Sequence, residues 1–422
     1  MTRLLVIADD FTGALDTGVQ FAARGAKTCV VTDPGYDFSR AGTEIQVLVL
    51  DAETRHLMPE AAYKVVFHAV ERALAENFTY IYKKTDSALR GNIGAELAAV
   101  LDASGADRLH FLPALPRMNR VTREGIHYIE GVPVAESLFG QDPFEPVTAS
   151  FVPEIIAAQS GVPVTLHGLG KPAAGGPGIQ VYDAETEEDL TRIARKLGGE
   201  ELRFSAGCAG FAAALAELLE LKGEPPERPP LIPALFVACG SVNPVTLRQM
   251  DEAEKAGFAH IRLTPAQKLD PSWPETLDCS EALLSWLETA RRKRRVILDV
   301  NDPPGWDGTA LYAKERGLTT GDLRVLISAQ LGRLVRRLLD GGLDATLLCT
   351  GGDTLLALTR AIGTAELLPV CELEAGVVLA DFVYHGKPYH IISKSGGFGE
   401  PGLFVSLART LGAGDQEEDA EC

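Results

Sequence analysis

The sequence predicts an α/β protein with two domains, each a mostly parallel β-sheet flanked by helices, and an active site in the cleft between the domains. Three observations favour this class. Short apolar runs typical of buried strands alternate with segments of helical periodicity, the strands stop at polar residues, and one proline-rich segment divides the alternation into two halves.

In the first half, polar residues follow each predicted strand. Strands are predicted at Leu4–Ala8, Gln46–Leu50, Tyr80–Tyr82 and Arg108–Leu112, and helices at Pro59–Phe78 and Ile93–Leu101. Right-handed crossovers bring the ends of parallel strands to one edge of a sheet. We therefore expect one site to contain the polar residues that follow these strands: Asp9, Asp10, Arg55, Lys84, Asp86 and Arg90.

Asp9 and Asp10 are the most informative pair, because an apolar strand ends there in two carboxylates before a glycine and a helix start. Successive side chains of a strand point to opposite faces, so at least one carboxylate should face the crevice beyond the sheet. The alternative is a plain helix cap, since Asp is a favoured N-cap.

Five prolines within residues 222–233 predict the domain boundary, because such a segment continues neither a helix nor a central strand. The predicted domains are 1–225 and 226–412, and the acidic residues 413–422 are predicted to be a disordered tail. Beyond the boundary the alternation restarts, with strands at Ala234–Cys239, Ala259–Leu263, Val296–Val300 and Ala345–Cys349, and helices from Pro244 and over Asp322–Leu339.

Three glycine-containing turns follow strands in the second half, at residues 239–246, 350–354 and 394–399. Backbone amides at a helix N-terminus, with no Cβ in the way, bind phosphate oxygens, so the turns predict a phosphate site. The alternative is that each turn is only a connection that needs a positive φ. The GxxxxGK[ST], HExxH and GxSxG motifs are absent, which argues against a P-loop, a zinc metalloprotease and a serine hydrolase. Residues 167–173 match the dinucleotide-binding pattern, but no helical pattern follows them, so we discount this match.

Composition excludes several classes of function. The net charge of −18 argues against nucleic acid as a partner, because nucleic acid selects basic surfaces. No apolar run reaches the roughly 18 residues of a membrane span. The N-terminus does not show the basic region, apolar stretch and small-residue cleavage site of a signal peptide in that order. We therefore expect a cytoplasmic protein. The seven cysteines include no CxxC pair and are expected to be reduced and mostly buried. The oligomeric state stays open, a homo-oligomer included.

Several long motifs resemble those of the four-carbon acid sugar kinase family. They are Ile7–Ala14 with Asp16–Gly18, Lys84–Ser87 with Leu89–Gly94, Gly131–Ser137, Gly351–Thr354 and Lys394–Gly399, in order along nearly the whole chain. The resemblance implies an N-terminal domain that binds a tetronate and a C-terminal domain that binds ATP. One departure is Asn119, which stands where we expect a glycine before the arginine.

Residue roles follow from the resemblance. It implies that the sugar acid contacts Asp9 or Asp10, Arg55, Lys84, Thr85, Asp86 and Ser87. It implies that ATP contacts Ser241, Gly351, Gly352, Asp353, Thr354 and Gly397, and Lys394 and Gly396 belong to the same glycine-rich turn.

The chemistry of these residue types refines the roles. Arg55 is the first candidate for the substrate carboxylate, with Lys84 or Arg90 in support. Thr85, Ser87 and one Asp of the first pair can order the hydroxyls. Asp10 is the first candidate for the general base and Asp86 the second. Magnesium is expected with the ATP; its ligands are not assigned, although Asp353 is a candidate.

The predicted reaction is ATP-dependent phosphorylation of the terminal hydroxyl of threonate, erythronate or a 3-oxo-tetronate, giving the 4-phosphate. The two domains are then expected to close to bring the reacting atoms together. Two alternatives stay open from the residues alone. One is a dehydrogenase or aldolase of small sugar acids, with Lys84 as a Schiff-base nucleophile, and the other is a non-catalytic sugar-acid-binding protein.

Overall fold

The computed structural model describes residues 3–142, 145–170, 175–219, 221 and 223–413. The chain forms two compact units, the first with residues 1–226 and 368–371 and the second with residues 227–367 and 372–422. Strands and helices alternate in both units, which confirms the predicted α/β class. Residues 414–422 of the predicted acidic tail lie outside the described residues.

The first unit contains a parallel sheet and a small antiparallel one. Its strands are β1 (Leu4–Ala8), β2 (Thr28–Val31), β3 (Val47–Asp51), β4 (Tyr80–Lys84), β5 (Arg108–Leu112), β6 (Arg120–Arg123), β7 (Ile126–Ile129), β8 (Val132–Pro133), β9 (Val164–His167), β10 (Gly178–Tyr182) and β11 (Phe204–Gly207). Its helices are α1 (Phe11–Ala22), α2 (Pro59–Ala75), α3 (Ile93–Ser104), α4 (Val152–Ala157), α5 (Glu187–Glu201) and α6 (Ala209–Leu218). The parallel strands follow the order β2-β3-β1-β4-β11-β5-β10-β9, and β6, β7 and β8 form the antiparallel sheet, which the sequence analysis did not predict.

Strands β1 and β3 are buried along their whole length because helices cover both faces of the sheet. Leu5 and Ile7 point to one face, where they share a core with α2 and α3. Helix α1 packs on the other face of β1 and β3. Gly18 allows this approach, since a Cβ there would lie only 3.1 Å from Val30 Cγ2 of β2.

The register of the parallel strands places the predicted polar residues at one edge. Ala8 at the end of β1 pairs with Asp51 of β3 and with Lys84 of β4, and Lys84 also pairs with Gly207 of β11. The residues that follow these strands therefore leave the sheet side by side, as the sequence predicts.

The second unit repeats the plan with a different strand order. Its strands are β12 (Leu235–Cys239), β13 (Ala259–Arg262), β14 (Arg295–Asp299), β15 (Thr346–Thr350), β16 (Glu366–Glu374, of which 368–371 belong to the first unit), β17 (Val377–Tyr384) and β18 (Lys387–Lys394). Its helices are α7 (Pro244–Lys255), α8 (Pro265–Leu269), α9 (Leu277–Lys293), α10 (Gly308–Glu315), α11 (Thr320–Asp340), α12 (Gly352–Ile362) and α13 (Leu403–Thr410). Strands β13-β14-β12-β15-β18 run parallel in that order, and β17 pairs antiparallel with β18.

All three glycine-containing turns leave the same edge of this sheet. Cys239 at the end of β12 pairs with Thr350 at the end of β15, and Thr350 pairs with Lys394 at the end of β18. Across the described part of the chain, no helix combines the length and the apolar character that a membrane crossing requires.

A buried ion pair supports the edge of the first sheet. Lys83 of β4 is fully buried, and its Nζ lies 2.8 Å from Glu96 Oε2 of α3. The same Nζ donates to the carbonyls of Ile7, at 3.1 Å, and Lys84, at 2.7 Å. Burial raises the pKa of Glu96, and the Lys83 ammonium opposes that rise. Lys83 thus ties β4, β1 and α3 together.

We predict that Lys83→Met lowers the free energy of unfolding by about 3–5 kcal/mol, because it leaves the Glu96 carboxylate buried without its cation. Urea denaturation measures this change. The double variant K83M/E96L should recover most of the loss, since it removes both charges. A single variant as stable as the wild type would show that the pair does not hold the strand edge.

Candidate functional site

The predicted polar residues of the first unit form one charged group, here called the strand-end cluster: Asp9, Asp10, Arg55, Lys84, Asp86 and Arg90. Arg55 lies at its centre. Its Nε is 2.7 Å from Asp9 Oδ2, its Nη1 is 2.8 Å from Asp10 Oδ2, and its Nη2 is 3.6 Å from Asp86 Oδ1. Burial acts to lower the pKa of Arg55, but the carboxylates of Asp10, Asp9 and Asp86 outweigh it and raise that pKa.

Asp10 is both part of the cluster and the N-cap of α1. Its Oδ1 accepts a hydrogen bond from the Gly13 amide at 3.0 Å, and its Oδ2 accepts one from the Thr12 hydroxyl at 3.0 Å. A Cβ at Gly13 would lie 2.7 Å from Lys84 Nζ, so a side chain there would require Lys84 to move away from the Asp pair. Asp10 is therefore a helix cap and also a member of the strand-end cluster, and its role in the reaction stays a prediction.

Asp9 is more enclosed than Asp10, with 3% of its side chain exposed against 22%. Burial acts to raise the pKa of Asp9, but Arg55, Lys84 and Lys83 outweigh it, so the pKa lies below its ordinary value. Lys84 Nζ stands 3.9 Å from Asp9 Oδ1. Asp9 is therefore an ionised anchor for the cations of the cluster.

Asp86 and Arg90 form a two-point ion pair. Arg90 Nε lies 2.7 Å from Asp86 Oδ2 and Arg90 Nη2 lies 3.2 Å from Asp86 Oδ1. Burial opposes the ionisation of Asp86, but Arg90 and Arg55 hold its pKa well below the ordinary value. Arg90 Nη1 also reaches Asp142 Oδ2 at 3.3 Å. The sequence analysis did not include Asp142, because in the sequence this residue does not follow a strand; it follows a 3-10 turn.

The remaining two predicted residues of this unit differ in their surroundings. The Ser87 hydroxyl accepts a hydrogen bond of 2.5 Å from Arg120 Nη1, so it belongs with the cluster. The Thr85 hydroxyl donates to the Gly207 carbonyl at 3.3 Å, and the Thr85 amide donates to the same oxygen at 2.8 Å. Thr85 thus joins β4 to β11, and its predicted substrate contact stays a prediction.

Sequence reasoning did not single out Arg120, although it noted the preceding Asn119. Asn119 adopts φ 52° in the left-handed region, which asparagine tolerates better than most residues. The turn therefore has the conformation that a glycine there would allow, and Arg120 follows it as the first residue of β6. The departure at Asn119 leaves the turn intact.

Asp51, at the end of β3, is a second residue that the sequence analysis left out of the site. It is fully buried, and burial together with Glu53, Asp10 and Asp9 raises its pKa well above the ordinary value. Its Oδ1 accepts a hydrogen bond from the Glu53 amide at 3.2 Å. Burial therefore disfavours a further negative charge at Asp51, beside Asp9 and Asp10.

In the second unit, the three predicted turns converge and form what is here called the glycine cradle, residues 239–246, 350–354 and 394–399. A Cβ at Gly351 would lie 3.7 Å from the Ser241 amide, and a Cβ at Gly396 would collide with the Ser241 hydroxyl. Gly351 has φ 98° and ψ 131° and precedes α12. Backbone amides that lead into a helix with no Cβ above them are suited to phosphate oxygens.

Lys394 links two turns of the glycine cradle by hydrogen bonds. It is fully buried, and its Nζ donates to Thr246 Oγ1 at 3.0 Å and to the carbonyls of Ser395 and Gly396 at 2.8 Å and 3.2 Å. Burial lowers its pKa to about 7. The Thr246 hydroxyl in turn donates to the Gly396 carbonyl at 2.7 Å. Lys394 therefore fixes the turn against α7, and direct contact with a nucleotide stays a prediction.

Asp353 and Thr354 lie in the first turn of α12. Arg324 of α11 binds the Asp353 carboxylate at two points, with Nε 2.7 Å from Oδ2 and Nη2 3.0 Å from Oδ1. A Cβ at Gly240 would collide with the Thr354 hydroxyl, which places that hydroxyl against the β12 turn. Among the residues that the structure describes, no three His, Cys, Asp or Glu side chains group as metal ligands.

These two sites define a class: a two-domain α/β protein with a cluster of charged side chains at the strand ends of one domain and a glycine cradle at those of the other. Residues 4–215 match a family model described as a sugar-binding N-terminal domain, and residues 236–404 match one described as a nucleotide-binding C-terminal domain. A D-threonate kinase from Salmonella typhimurium is 33% identical over 423 residues, covering 94% of this chain and 95% of the relative. A D-erythronate kinase from Heliobacterium modesticaldum is 31% identical over 271 residues, covering 61% of each chain.

The chain belongs to the four-carbon acid sugar kinase family, which confirms the resemblance seen in its motifs. A solved structure from Salmonella typhimurium LT2 has the same fold, with a TM-score of 0.79 at 22% identity, covering 97% of this chain and 100% of its own. Family membership favours a kinase over the dehydrogenase or aldolase and over the non-catalytic binding protein.

We predict that Gly351→Ala weakens nucleotide binding by about 10-fold or more. An L residue at φ 98° is strained by roughly 1–3 kcal/mol, and relief of that strain would turn the cradle amides away. Isothermal titration with ADP measures the change. Gly363→Ala is the matched control, because Gly363 has φ 70° at the other end of α12 and open space around it. Equal affinity of both variants for ADP would contradict the role of the cradle.

Proposed function

We propose that this protein transfers the γ-phosphoryl group of ATP to the terminal hydroxyl of a four-carbon sugar acid, giving the 4-phosphate. The observation that carries the proposal is the strand-end cluster, which lies in the domain that matches the sugar-binding model. The relatives named D-threonate kinase and D-erythronate kinase supply the substrate class. Use of ATP favours a cytoplasmic location.

The cluster has the two kinds of group that a tetronate requires. Cations at Arg55, Lys84 and Arg90 attract a carboxylate, and the carboxyl oxygens of Asp9 and Asp10 accept hydrogen bonds from sugar hydroxyls. Because Arg55 already holds these two carboxylates in fixed positions, the acceptors need little rearrangement when the substrate binds.

Asp10 is the general base in this proposal. The attacking hydroxyl loses a proton as it bonds to phosphorus, so a carboxylate within hydrogen-bond distance has to receive that proton. Asp10 is the more exposed of the first Asp pair. Asp86 is the second candidate, but Arg90 and Arg55 hold its pKa well below the ordinary value, which makes it a weaker base.

The glycine cradle is proposed to bind the ATP phosphates through Ser241, Gly351, Gly352, Thr354, Gly396 and Gly397. The cradle fits such a group because Gly351 has no side chain over the amides that lead into α12, and because a Cβ at Gly396 would collide with Ser241 Oγ. Magnesium is proposed to accompany the nucleotide, with phosphate oxygens and water as its main ligands. Asp353 would become a magnesium ligand only by giving up one of its two contacts with Arg324.

A kinase assay with a panel of acids tests the proposed reaction. The panel contains both enantiomers of threonate and erythronate, the 3-oxo-tetronates and the neutral tetritols, each with ATP and magnesium. We expect ADP release with at least one tetronate, and a product that ³¹P NMR identifies as the 4-phosphate. A folded protein that binds ATP but phosphorylates no tetronate would overturn the proposal.

We predict that Asp10→Asn lowers kcat by about 10²–10⁴-fold, because the amide cannot take the proton. The α1 cap should survive, since Asn is as favoured an N-cap as Asp. ATP affinity should not change, because ATP binds the other unit. Steady-state kinetics, with thermal denaturation to confirm folding, measure the effect.

Asp37→Asn is the control for the cap itself. Asp37 is exposed and caps a short 3-10 turn by accepting a 3.0 Å hydrogen bond from the Ser39 amide. Its replacement should leave kcat at the wild-type value. Near-normal turnover in D10N would remove Asp10 from the base role and leave Asp86 as the candidate.

A further inference from the structure

The loop that follows β14 contacts the glycine cradle. Strand β14 lies beside β12 in the sheet, and Asp299 at the end of β14 pairs with Cys239 at the end of β12. Asn301 stands two residues further along the loop, and its side-chain Nδ2 donates to the Ser241 carbonyl at 3.1 Å. The sequence analysis did not include this loop. Asn301 therefore reaches the cradle from a fourth strand end.

Asp299 holds the side chain of Asn301 in place. Its Oδ1 accepts a hydrogen bond from Asn301 Nδ2 at 2.7 Å and another from the Asn301 backbone amide at 2.9 Å. A side-chain amide has two N–H groups, so one can serve Asp299 while the other serves the Ser241 carbonyl. Asp299 is buried, which shields these hydrogen bonds from water and strengthens them.

His260 of β13 holds Asp299 in turn. Its Nε2 lies 3.1 Å from Asp299 Oδ2, and its Nδ1 lies 3.0 Å from Glu254 Oε2 of α7. Arg262 Nη2 donates to the same Glu254 oxygen at 2.9 Å. Burial acts to lower the pKa of His260, but its hydrogen bonds to Asp299 and Glu254 outweigh burial and raise that pKa. The ring that donates at both nitrogens is thus favoured, and a continuous series of contacts runs from Glu254 to Ser241.

The direction of the Ser241 carbonyl determines the direction of the next amide. The peptide bond between Ser241 and Val242 is trans, so its C=O and its N–H point to opposite sides. Because Asn301 takes the carbonyl, the Val242 N–H is directed away from Asn301. Within the residues that the structure describes, this amide donates to no protein acceptor, and Val242 is exposed. Such an amide, in a turn of the cradle, is a donor that a phosphate oxygen can use.

We propose that Asn301 is a positioning residue of the nucleotide site. Asp299 and His260 hold its side chain, and the side chain holds the Ser241 carbonyl. The Val242 amide is thereby presented to a phosphate oxygen of the nucleotide, while Asn301 itself touches no phosphate. This inference rests on the part of the proposed function that assigns the cradle to the phosphates of ATP, and it adds a backbone donor to the residues predicted for that role.

The test compares a nucleotide with its nucleoside in the absence of sugar acid. Isothermal titration gives the Kd of ADP, and ligand-observed NMR gives that of adenosine, for the wild type and for Asn301→Ala. We expect N301A to lose about 5–20-fold in affinity for ADP, because the Ser241 turn loses the donor that orients it. Its affinity for adenosine should stay at the wild-type value, since adenosine has no phosphate.

Two variants of His260 test the contact that holds Asp299. The side-chain amide of His260→Gln can donate to Asp299 in place of the ring nitrogen, whereas His260→Leu has no donor. We expect H260L to lose about 3–10-fold in affinity for ADP and H260Q to recover most of that loss. Packing alone would not produce this order, because leucine fills a buried position at least as well as glutamine does.

Tyr384→Phe is the matched control within the same unit. The Tyr384 hydroxyl donates to Asp340 Oδ1 at 2.7 Å, so the variant also removes a hydrogen bond to a carboxylate. Tyr384 pairs with Lys387 at the start of β18, whereas the cradle turn follows Lys394 at the end of that strand. The control therefore acts at the opposite edge of the sheet, and it should leave both affinities unchanged.

Two results would overturn the inference: N301A that binds ADP as tightly as the wild type, or N301A that loses ADP and adenosine by the same factor. If N301A fails to fold by circular dichroism, H260L and H260Q decide instead, and equal ADP affinities of these two would overturn it. A wild type that binds no ADP would overturn it together with the role of the cradle. A wild type that binds ADP but phosphorylates no tetronate would refute only the proposed reaction, and the variants would still decide the role of Asn301.

Discussion

The contact of one guanidinium group with three carboxylates organises the first unit. Asp9 and Asp10 follow β1, Arg55 follows β3 and Asp86 follows β4, so Arg55 joins the ends of three neighbouring strands. Without Arg55, three carboxylates would repel one another at one edge of a buried sheet. Without the carboxylates, Arg55 would be a buried charge with no compensation. Each half of the contact therefore requires the other, and the edge is ordered before any ligand arrives.

The part of this arrangement that the sequence could predict follows from strand topology. Apolar runs fix the strands, and parallel pairing brings whatever follows them to one edge, so Asp9, Arg55 and Asp86 could be grouped without coordinates. Arg120 and Asp142 could not be grouped in this way. Arg120 begins a strand of the antiparallel sheet and Asp142 follows a 3-10 turn, and neither position has a periodic signal.

The glycine cradle illustrates a second limit of sequence reasoning. Residue types alone did not distinguish phosphate-binding turns from plain connections. The structure adds that Gly351 and Gly396 both lie close to Ser241, so the three turns are neighbours in space. Lys394 resembles a phosphate-binding lysine because it precedes glycines. Its Nζ is instead taken up by Thr246 and two carbonyls, and such burial depends on packing against α7, which the sequence does not encode locally.

A protein with a net charge of −18 can attract an anionic substrate only if the local field differs from the overall one. In the strand-end cluster, charges of both signs lie side by side, because Arg55 contacts Asp9 and Asp10 and Arg90 contacts Asp86. Under the proposed function, the cations of this cluster attract the substrate carboxylate, and its aspartate oxygens accept hydrogen bonds from the substrate hydroxyls. Lys84 Nζ lies 3.9 Å from Asp9 Oδ1, so the groups suited to a carboxylate and those suited to hydroxyls lie next to each other in one site.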